Sequence, residues 1–318
     1  MKKIAISCGD INGVGLEILL KAHKQIIKTI SPIYCVHYEL LVNASSLLSL
    51  PFPSSLTPSM CLPPSLPLPT ISPKTISKES GAYSYESFIL GCKLCEEGEA
   101  SALVTLPIHK QAWQLAGVRE IGHTQALSAR YGKEAIMMLG CEKMFVALYT
   151  DHIPLKEVSS HIQKERLVEF FKSLYHTHTR ESYCVMGLNP HAGDGGMIGD
   201  EEREIELAIK QINSELGKEV FKGVYPPDCS FIPSRQKEFD TWVAMYHDVG
   251  LCVLKAIYFE ESINVSLNLP ILRSSVDHGV AFDIAYEGKA SITSYLNAIK
   301  YVSAKQSLSP TLALREWR

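Results

Sequence analysis

The sequence predicts an α/β protein with two domains, and three observations carry this prediction. Short apolar stretches of strand length alternate with longer segments whose apolar residues recur at helical spacing. Several apolar stretches end abruptly in polar residues and glycine, as strands do at the carboxyl edge of a parallel sheet. The chain has 318 residues, more than the roughly 250–300 that one hydrophobic core usually accommodates, so two domains are expected.

Composition and charge exclude several classes of protein. A net charge of −3 provides no basic field for nucleic acid. No apolar run reaches the roughly 20 residues of a membrane helix. Asp10 interrupts the N-terminal apolar run too early for a signal peptide. The nine cysteines are irregularly spaced, which is untypical of a disulfide framework. We therefore expect a cytoplasmic protein with neither nucleic-acid nor membrane partners.

The chain begins with a strand, a glycine-rich turn and a helix. The strand is predicted over Lys3–Ser7 and the helix from about Leu16 to Ile27. Such a unit can present backbone N–H groups to an anion, but its glycines do not follow the dinucleotide fingerprint or the P-loop pattern.

Residues 50–73 are rich in proline, which excludes helix and central strand and predicts an extended surface segment.

The rest of the chain continues the alternation. Predicted strands cover Ala102–Pro107, Ala135–Leu139, Met144–Tyr149, Tyr183–Leu188, Val220–Val224 and Thr241–Met245. Predicted helices cover Tyr83–Glu97, Gln111–Ala116, Lys164–Tyr175, Glu201–Leu216 and Ser291–Ser303. Cys92 and Cys95 lie on the apolar face of the first of these helices, and no second pair at metal-site spacing accompanies them, which favours packing. The histidines at 23, 161, 176 and 178 lie in or beside helices and are expected at the surface.

Three histidines follow the ends of apolar strands. His152, His191 and His247 each come directly after such a strand and before a turn. Three neutral imidazoles that converge at strand ends would form a site for one metal ion with positions open to substrate. From the local sequence alone, His247 and Asp248 could equally well cap the helix that follows instead of binding a metal. Lys255 and Arg273 offer cations for an anionic substrate.

Several motifs occur together in the order found in one enzyme family. They are Gly9-Asp10, Gly13-Val-Gly15-Leu-Glu17, Leu106-Pro-Ile-His-Lys110, Gly122-His-Thr124, Asn189-Pro-His-Ala-Gly193, Met245-Tyr-His-Asp248 and Ser275-Val-Asp-His-Gly279. From Ile4 to about Ile299, apart from the proline-rich segment, the chain resembles the 4-hydroxythreonine-4-phosphate dehydrogenase family. The resemblance implies two α/β/α domains flanking a cleft, in the isocitrate/isopropylmalate dehydrogenase-like fold. We expect a cofactor-side domain over 1–120 and 265–318, and a metal- and dimer-side domain over 121–264.

The resemblance also implies roles for single residues. The divalent-metal ligands would be His152, His191 and His247, the last contributed by the partner subunit of a homodimer that shares its active sites. Catalysis would involve Asp228, an acid near the reacting hydroxyl, and Lys255. Substrate-binding positions would be His123, Thr124, Lys255, Asn264 and Arg273, and the cofactor loop would include His278, Gly279 and Asp283. Four residues depart from the family pattern: His109 replaces Asn, Ile11-Asn12 replaces Pro-Ala, and Tyr286 replaces Gly.

The activity implied is oxidation of 4-phosphohydroxy-L-threonine in pyridoxine and pyridoxal 5′-phosphate biosynthesis. NAD is the expected cofactor, with NADP left open, together with one divalent ion, Zn, Mg or Co. The β-keto acid formed would lose carbon dioxide to give 3-amino-2-oxopropyl phosphate. Two alternatives remain from the sequence: a dehydrogenase of a related acid such as phosphothreonate or phosphoerythronate, and a phosphate acyltransferase-like enzyme, which would need neither the histidines nor a nicotinamide.

Overall fold

The computed structural model describes residues 1–305 and has the predicted α/β architecture. The strands are β1 (Lys2–Ser7), β2 (Ile30–Cys35), β3 (Ala102–Thr105), β4 (Ile136–Cys141), β5 (Met144–Leu148), β6 (Tyr183–Met186), β7 (Phe221–Tyr225), β8 (Thr241–Ala244), β9 (Ile263–Leu267) and β10 (Arg273–Val276). The helices are α1 (Gly15–Ile26), α2 (Tyr38–Leu47), α3 (Lys78–Glu96), α4 (Lys110–Leu115), α5 (His123–Tyr131), α6 (Leu155–His161), α7 (Lys164–Thr177), α8 (Glu201–Leu216), α9 (Pro233–Glu238), α10 (His247–Tyr258) and α11 (Thr293–Ala304). Within the described residues, none of these helices is long and apolar enough to cross a membrane.

The first compact unit contains Met1–Lys133 and the described residues of Leu269–Arg318. Its strands run in the order β2-β1-β3-β10 and all pair in parallel. The apolar sequences of β1 and β3 are mostly buried, as parallel strands covered on both faces require, and the more polar β10 is buried as well. Ser7, Thr105 and Ser275 lie in register at the carboxyl edge of β1, β3 and β10. This edge therefore presents a row of hydroxyl-bearing residues.

The second unit contains Glu134–Asn268, with strand order β9-β4-β5-β8-β6-β7. β4 is antiparallel to β9 and to β5, whereas the pairs β5–β8, β8–β6 and β6–β7 are parallel. A core that includes Val146, Met186, Trp242 and Leu254 packs the sheet against its helices. Because β5, β8 and β6 are parallel neighbours, the segments after them leave the sheet at the same edge.

The division between the units falls elsewhere than the sequence-based boundaries at 120/121 and 264/265. It lies after Lys133 and after Asn268, so α5 belongs to the first unit. One contact that joins α5 to this unit is the Arg130 guanidinium, which donates to both carboxylate oxygens of Glu96 on α3, at 2.6 and 2.7 Å. The assignment of the two units to cofactor and metal stays a prediction.

The proline-rich segment is irregular, as expected, apart from a 3-10 turn at Pro58–Met60 and a single bridge from Cys61 to Tyr34 of β2. Leu56 is buried, so the segment packs on the first unit.

Two predictions of surface histidines were wrong: His23 and His178 are fully buried. His23 lies 2.7 Å from the Tyr34 hydroxyl, and His178 packs edge-on against Phe145, because tertiary packing covers these helix positions.

Candidate active site

Two of the three predicted metal ligands lie side by side in the second unit. His152 follows β5 and His247 begins α10 directly after β8, and these two strands pair in parallel. The Thr150 hydroxyl donates to the Met245 carbonyl at 2.7 Å, which ties the two strand ends together. The ring centroids of His152 and His247 are 5.6 Å apart. The rings are thus close enough for both to approach a single ion.

Each of these histidines has an acidic neighbour in the chain. His247 Nδ1 lies 2.8 Å from Asp248 Oδ1, and His152 Nδ1 lies 3.6 Å from Asp151 Oδ2. The hydrogen bond between Asp151 and the His152 side chain lowers the pKa of Asp151 below its ordinary value, so this carboxyl group remains ionised. A carboxylate at Nδ1 orients an imidazole and leaves Nε2 available as a metal ligand. His247 is the first residue of α10, and the N-cap position before it is Tyr246, whose side chain makes no capping hydrogen bond.

His191 is separate from this pair. Among residues 1–305, no three His, Cys, Asp or Glu side chains are grouped closely enough to hold a metal ion. His191 lies in the loop after β6, where His191, Ala192 and Asp194 all have left-handed φ of 46–53°. Such a conformation in non-glycine residues costs on the order of 1–3 kcal/mol each and persists only where the surroundings impose it. The strain marks this loop as specialised, but one chain by itself does not complete the three-histidine site.

Glu202 in the first turn of α8 fastens the loop that carries His191. Its Oε1 accepts the backbone N–H groups of Leu188 and Asn189 at 2.8 and 2.7 Å, and its Oε2 accepts the Asn189 side-chain amide at 2.9 Å. The Glu202 side chain is buried, and a Cβ added to Gly193 would lie 2.7 Å from its Oε2. The carboxylate therefore fills the space under the loop and also accepts the hydrogen bonds of the loop's amide groups.

The other predicted residues of this unit occupy different positions. Asp228 is exposed in a 3-10 turn, Pro227–Cys229, that packs against the His191 loop. Lys255 lies eight residues after His247 on α10, roughly 12 Å along the helix axis. Asn264 is half-buried on β9, opposite Leu139 of β4. The structure thus brings Asp228 towards the His191 loop rather than towards the His152–His247 pair.

In the first unit, Arg273 is buried at the start of β10. Its Nε and Nη2 atoms donate to the Thr105 hydroxyl at 3.1 and 2.7 Å. Burial lowers the pKa of the guanidinium to about 9. An anionic substrate group beside this cation would offset its desolvation and stabilise the charge. The sequence marks Thr105 only as a polar residue at a strand end and does not reveal its hydrogen bonds with Arg273.

His123 is near this cation. Phe88 and Trp113 contact the imidazole edge-on, with centroid distances of 4.9 and 5.3 Å. Burial first, and then the charge of Arg273, lower the pKa of His123 well below its ordinary value, so the ring is neutral at pH 7. Its buried Nε2 has no hydrogen-bond partner among the described residues. A buried polar atom without a partner is what a ligand would satisfy. Thr124 follows on the same helical turn.

The predicted cofactor residues His278, Gly279 and Asp283 lie in one loop between β10 and α11. Phe282 of this loop stacks on the His109 ring at 5.1 Å, with the planes inclined by 10°. The buried Nδ1 of His109 has no partner within residues 1–305. Val14 N–H donates to the Val280 carbonyl at 3.0 Å, which joins this loop to the glycine-rich turn. The two loops that the motifs suggested for anion and cofactor binding are therefore in contact.

The site and fold can be compared with known proteins. The model of the family described as pyridoxal phosphate biosynthetic protein PdxA matches residues 28–302. A 4-hydroxythreonine-4-phosphate dehydrogenase of Sulfurimonas denitrificans is 51% identical over 298 residues, covering 94% of this chain and 96% of that protein. One from Campylobacter fetus subsp. fetus is 51% identical over 302 residues, covering 95% and 97%.

A solved structure agrees with these relatives. The crystal structure of 4-hydroxythreonine-4-phosphate dehydrogenase from Klebsiella pneumoniae matches with a TM-score of 0.81 and 29% identity, over 95% of this chain and all of that one. Fold and relatives define an α/β oxidoreductase. The chain belongs to the PdxA family of pyridoxal phosphate biosynthetic proteins.

Proposed function

We propose that the protein oxidises 4-phosphohydroxy-L-threonine with NAD and a divalent metal ion, and that the product decarboxylates to 3-amino-2-oxopropyl phosphate. The observation that carries the proposal is the His152–His247 pair, with its acidic partners, at the ends of two neighbouring strands. The family and its named relatives support the reaction class. The phosphate acyltransferase-like alternative needs no such imidazole pair, so the same observation argues against it.

The donor set fits a metal ion. His152 and His247 can each offer Nε2, and the carboxylates at Nδ1 set the ring orientation. His191 would supply the third imidazole. Imidazole donors favour zinc or cobalt over magnesium. When bound, the cation supplies a Lewis acid for the substrate oxygen, and the nicotinamide supplies the hydride acceptor.

The chain's own residues bind the substrate and move the proton. Arg273, with the neutral His123 and Thr124, binds an anionic group, because its buried charge is stabilised by an anion. Lys255 and Asn264 bind the remaining polar groups. The Asp228 carboxylate accepts the proton of the substrate hydroxyl as the adjacent carbon is oxidised.

The substrate is tested by comparing kcat/KM for 4-phosphohydroxy-L-threonine, phosphothreonate and phosphoerythronate, with each of NAD and NADP. We expect 4-phosphohydroxy-L-threonine with NAD to have the highest kcat/KM. A higher kcat/KM for either of the other acids would show that the protein is a dehydrogenase of a related substrate.

All nine cysteines are free thiols, and we propose the cytoplasm as the compartment.

We also propose a homodimer in which one histidine of each metal site comes from the partner subunit. The resemblance suggested His247 for this role, but His247 lies beside His152 in the same chain. The separation of His191 from this pair supports His191 as the ligand that crosses. A two-fold dimer would then form two equivalent composite sites.

Pairwise mixing of inactive variants tests which histidine crosses. If His191 crosses, mixing His152→Ala with His191→Ala subunits restores about a quarter of wild-type activity, since half of the random dimers contain one intact site. Mixing His152→Ala with His247→Ala then restores none. The reverse result would return the crossing role to His247. No recovery in either mixture, with heterodimers confirmed by mass spectrometry, would refute a shared site.

A further inference from the structure

The residues that depart from the family pattern gather around one loop. The loop spans residues 278–290 and includes the predicted cofactor residues. His109 stacks on its Phe282, and the Tyr286 hydroxyl donates to the Ile11 carbonyl at 2.6 Å. Two non-glycine residues of the loop, Ala281 and Tyr286, have left-handed φ of 45° and 61°. Because this conformation is costly, the loop needs contacts from outside to keep its shape.

Asn12, another departure, holds the end of the proline-rich segment. This fully buried side chain accepts the Ser72 N–H and donates to the Thr75 carbonyl, both at 2.8 Å. The Asn12 carbonyl accepts the Lys74 N–H at 2.9 Å. Three hydrogen bonds thus fix the Ser72–Thr75 turn, in which Lys74 has a left-handed φ of 63°. An Ala at position 12, as the family usually has, could make only the last of them.

The turn directs the Lys74 side chain onto the 278–290 loop. Lys74 Nζ donates to the Asp283 carbonyl at 3.0 Å and forms an ion pair with Glu287. Glu287 also pairs with Lys289 at 2.9 Å. The ion pairs are largely exposed, and such pairs contribute little by themselves. The bond to the backbone of Asp283 is what Lys74 adds and Lys289 does not.

We propose that Lys74, presented by the Asn12-held turn, is a positioning residue for the dinucleotide: it fixes the Asp283 backbone and so residues 278–283, which would bind the cofactor. This inference rests on the proposed function, because it takes residues 278–283 of the loop as the dinucleotide site. It gives the proline-rich segment a role, since the segment's last two residues, Ser72 and Pro73, begin the turn. Lys74 acts on the loop and makes no contact with the reacting atoms.

Lys74→Met and Lys289→Met make a matched pair, since each removes one cation from Glu287 and only the first removes the bond to Asp283. Loss of that bond should raise the dinucleotide Kd and KM roughly three- to tenfold. The KM of the phosphorylated substrate and kcat should each change less than twofold. The melting temperature should change by less than about 3 °C. Lys289→Met should leave the dinucleotide Kd within twofold, and Lys74→Arg should recover most of the affinity.

Dinucleotide affinity is measured by titration calorimetry with NADH and NAD, and the kinetic constants by initial rates. Equal effects of the two Met variants would overturn the proposal, because they would reduce it to surface charge. A wild-type Kd in Lys74→Met, or a rise in both KM values together with a fall in the melting temperature, would also overturn it. Failure of the wild-type protein to bind any dinucleotide would instead refute the proposed function itself.

Discussion

Replacement of Glu202 by Gln tests how the His191 loop is held. The change keeps the size of the side chain and one acceptor oxygen but removes the charge. In the wild type, Glu202 accepts two backbone amides of the loop and the side-chain amide of Asn189. In the variant, one of these three donors would face the new NH₂ group, and the other two would lose a charged acceptor.

The magnitude follows from these contacts. Hydrogen bonds to charged groups contribute about 1.5–3 kcal/mol and neutral ones about 0.5–1.5, so the two amides together lose roughly 2 kcal/mol. A buried donor without an acceptor adds about 1–3 kcal/mol. We therefore expect the free energy of unfolding to fall by about 3–5 kcal/mol. Because the loop carries a proposed ligand, metal affinity should also fall by about 10–100-fold.

Denaturant unfolding of the metal-free protein measures the first effect, and competition with a metallochromic chelator measures the second. Glu201→Gln is the matched control: Glu201 accepts Asn189 Nδ2 and the Ser159 hydroxyl, but none of its hydrogen bonds reaches the backbone of residues 188–189. It should change stability by no more than about 0.5 kcal/mol. If Glu202→Gln matched this control in both measurements, the carboxylate would not be what holds the loop.

Two further predictions concern the first unit. Gly81→Ala places a Cβ only 1.9 Å from the Ala112 carbonyl oxygen where α3 meets α4, so it should destabilise the protein by about 1–3 kcal/mol or more; Gly122→Ala, whose Cβ meets nothing within 4 Å, should be near neutral in the same denaturant titration. His123 has a lowered pKa in the folded state, so the unfolded state binds the proton more readily and stability declines as the pH falls below about 6.5. His123→Gln should reduce this decline between pH 7 and pH 5, and an unchanged pH dependence would contradict a buried, neutral His123.

The sequence predicted most of the sheet and the edge at which the polar residues gather. Apolar runs marked β1, β3, β5, β6 and β8, since buried parallel strands carry continuous apolar sequence. The same runs do not reveal which strands are neighbours. The pairing of β5 with β8, which brings His152 to His247, depends on contacts across about a hundred residues and became visible only in the structure.

Other features lacked any local signal. Glu202 reads as an ordinary acid in the first turn of a helix, where the helix dipole favours negative charge, and its role depends on a loop that precedes it. Lys74 reads as a surface residue after a proline, and only the fold brings it to Asp283. Burial of His23 and His178 is likewise decided by segments distant in the chain.

The coupling of oxidation to decarboxylation tests the proposed function most directly. Metal-loaded protein would be incubated with NAD and with 4-phosphohydroxy-L-threonine labelled at its carboxyl carbon, while NADH and labelled carbon dioxide are measured together. We expect one carbon dioxide per NADH, loss of both on chelation, recovery on adding zinc or cobalt, and neither product with His152→Ala. Equal NADH formation in the chelated protein or in His152→Ala, or no NADH at all in the loaded wild type, would contradict the proposed metal-dependent dehydrogenase.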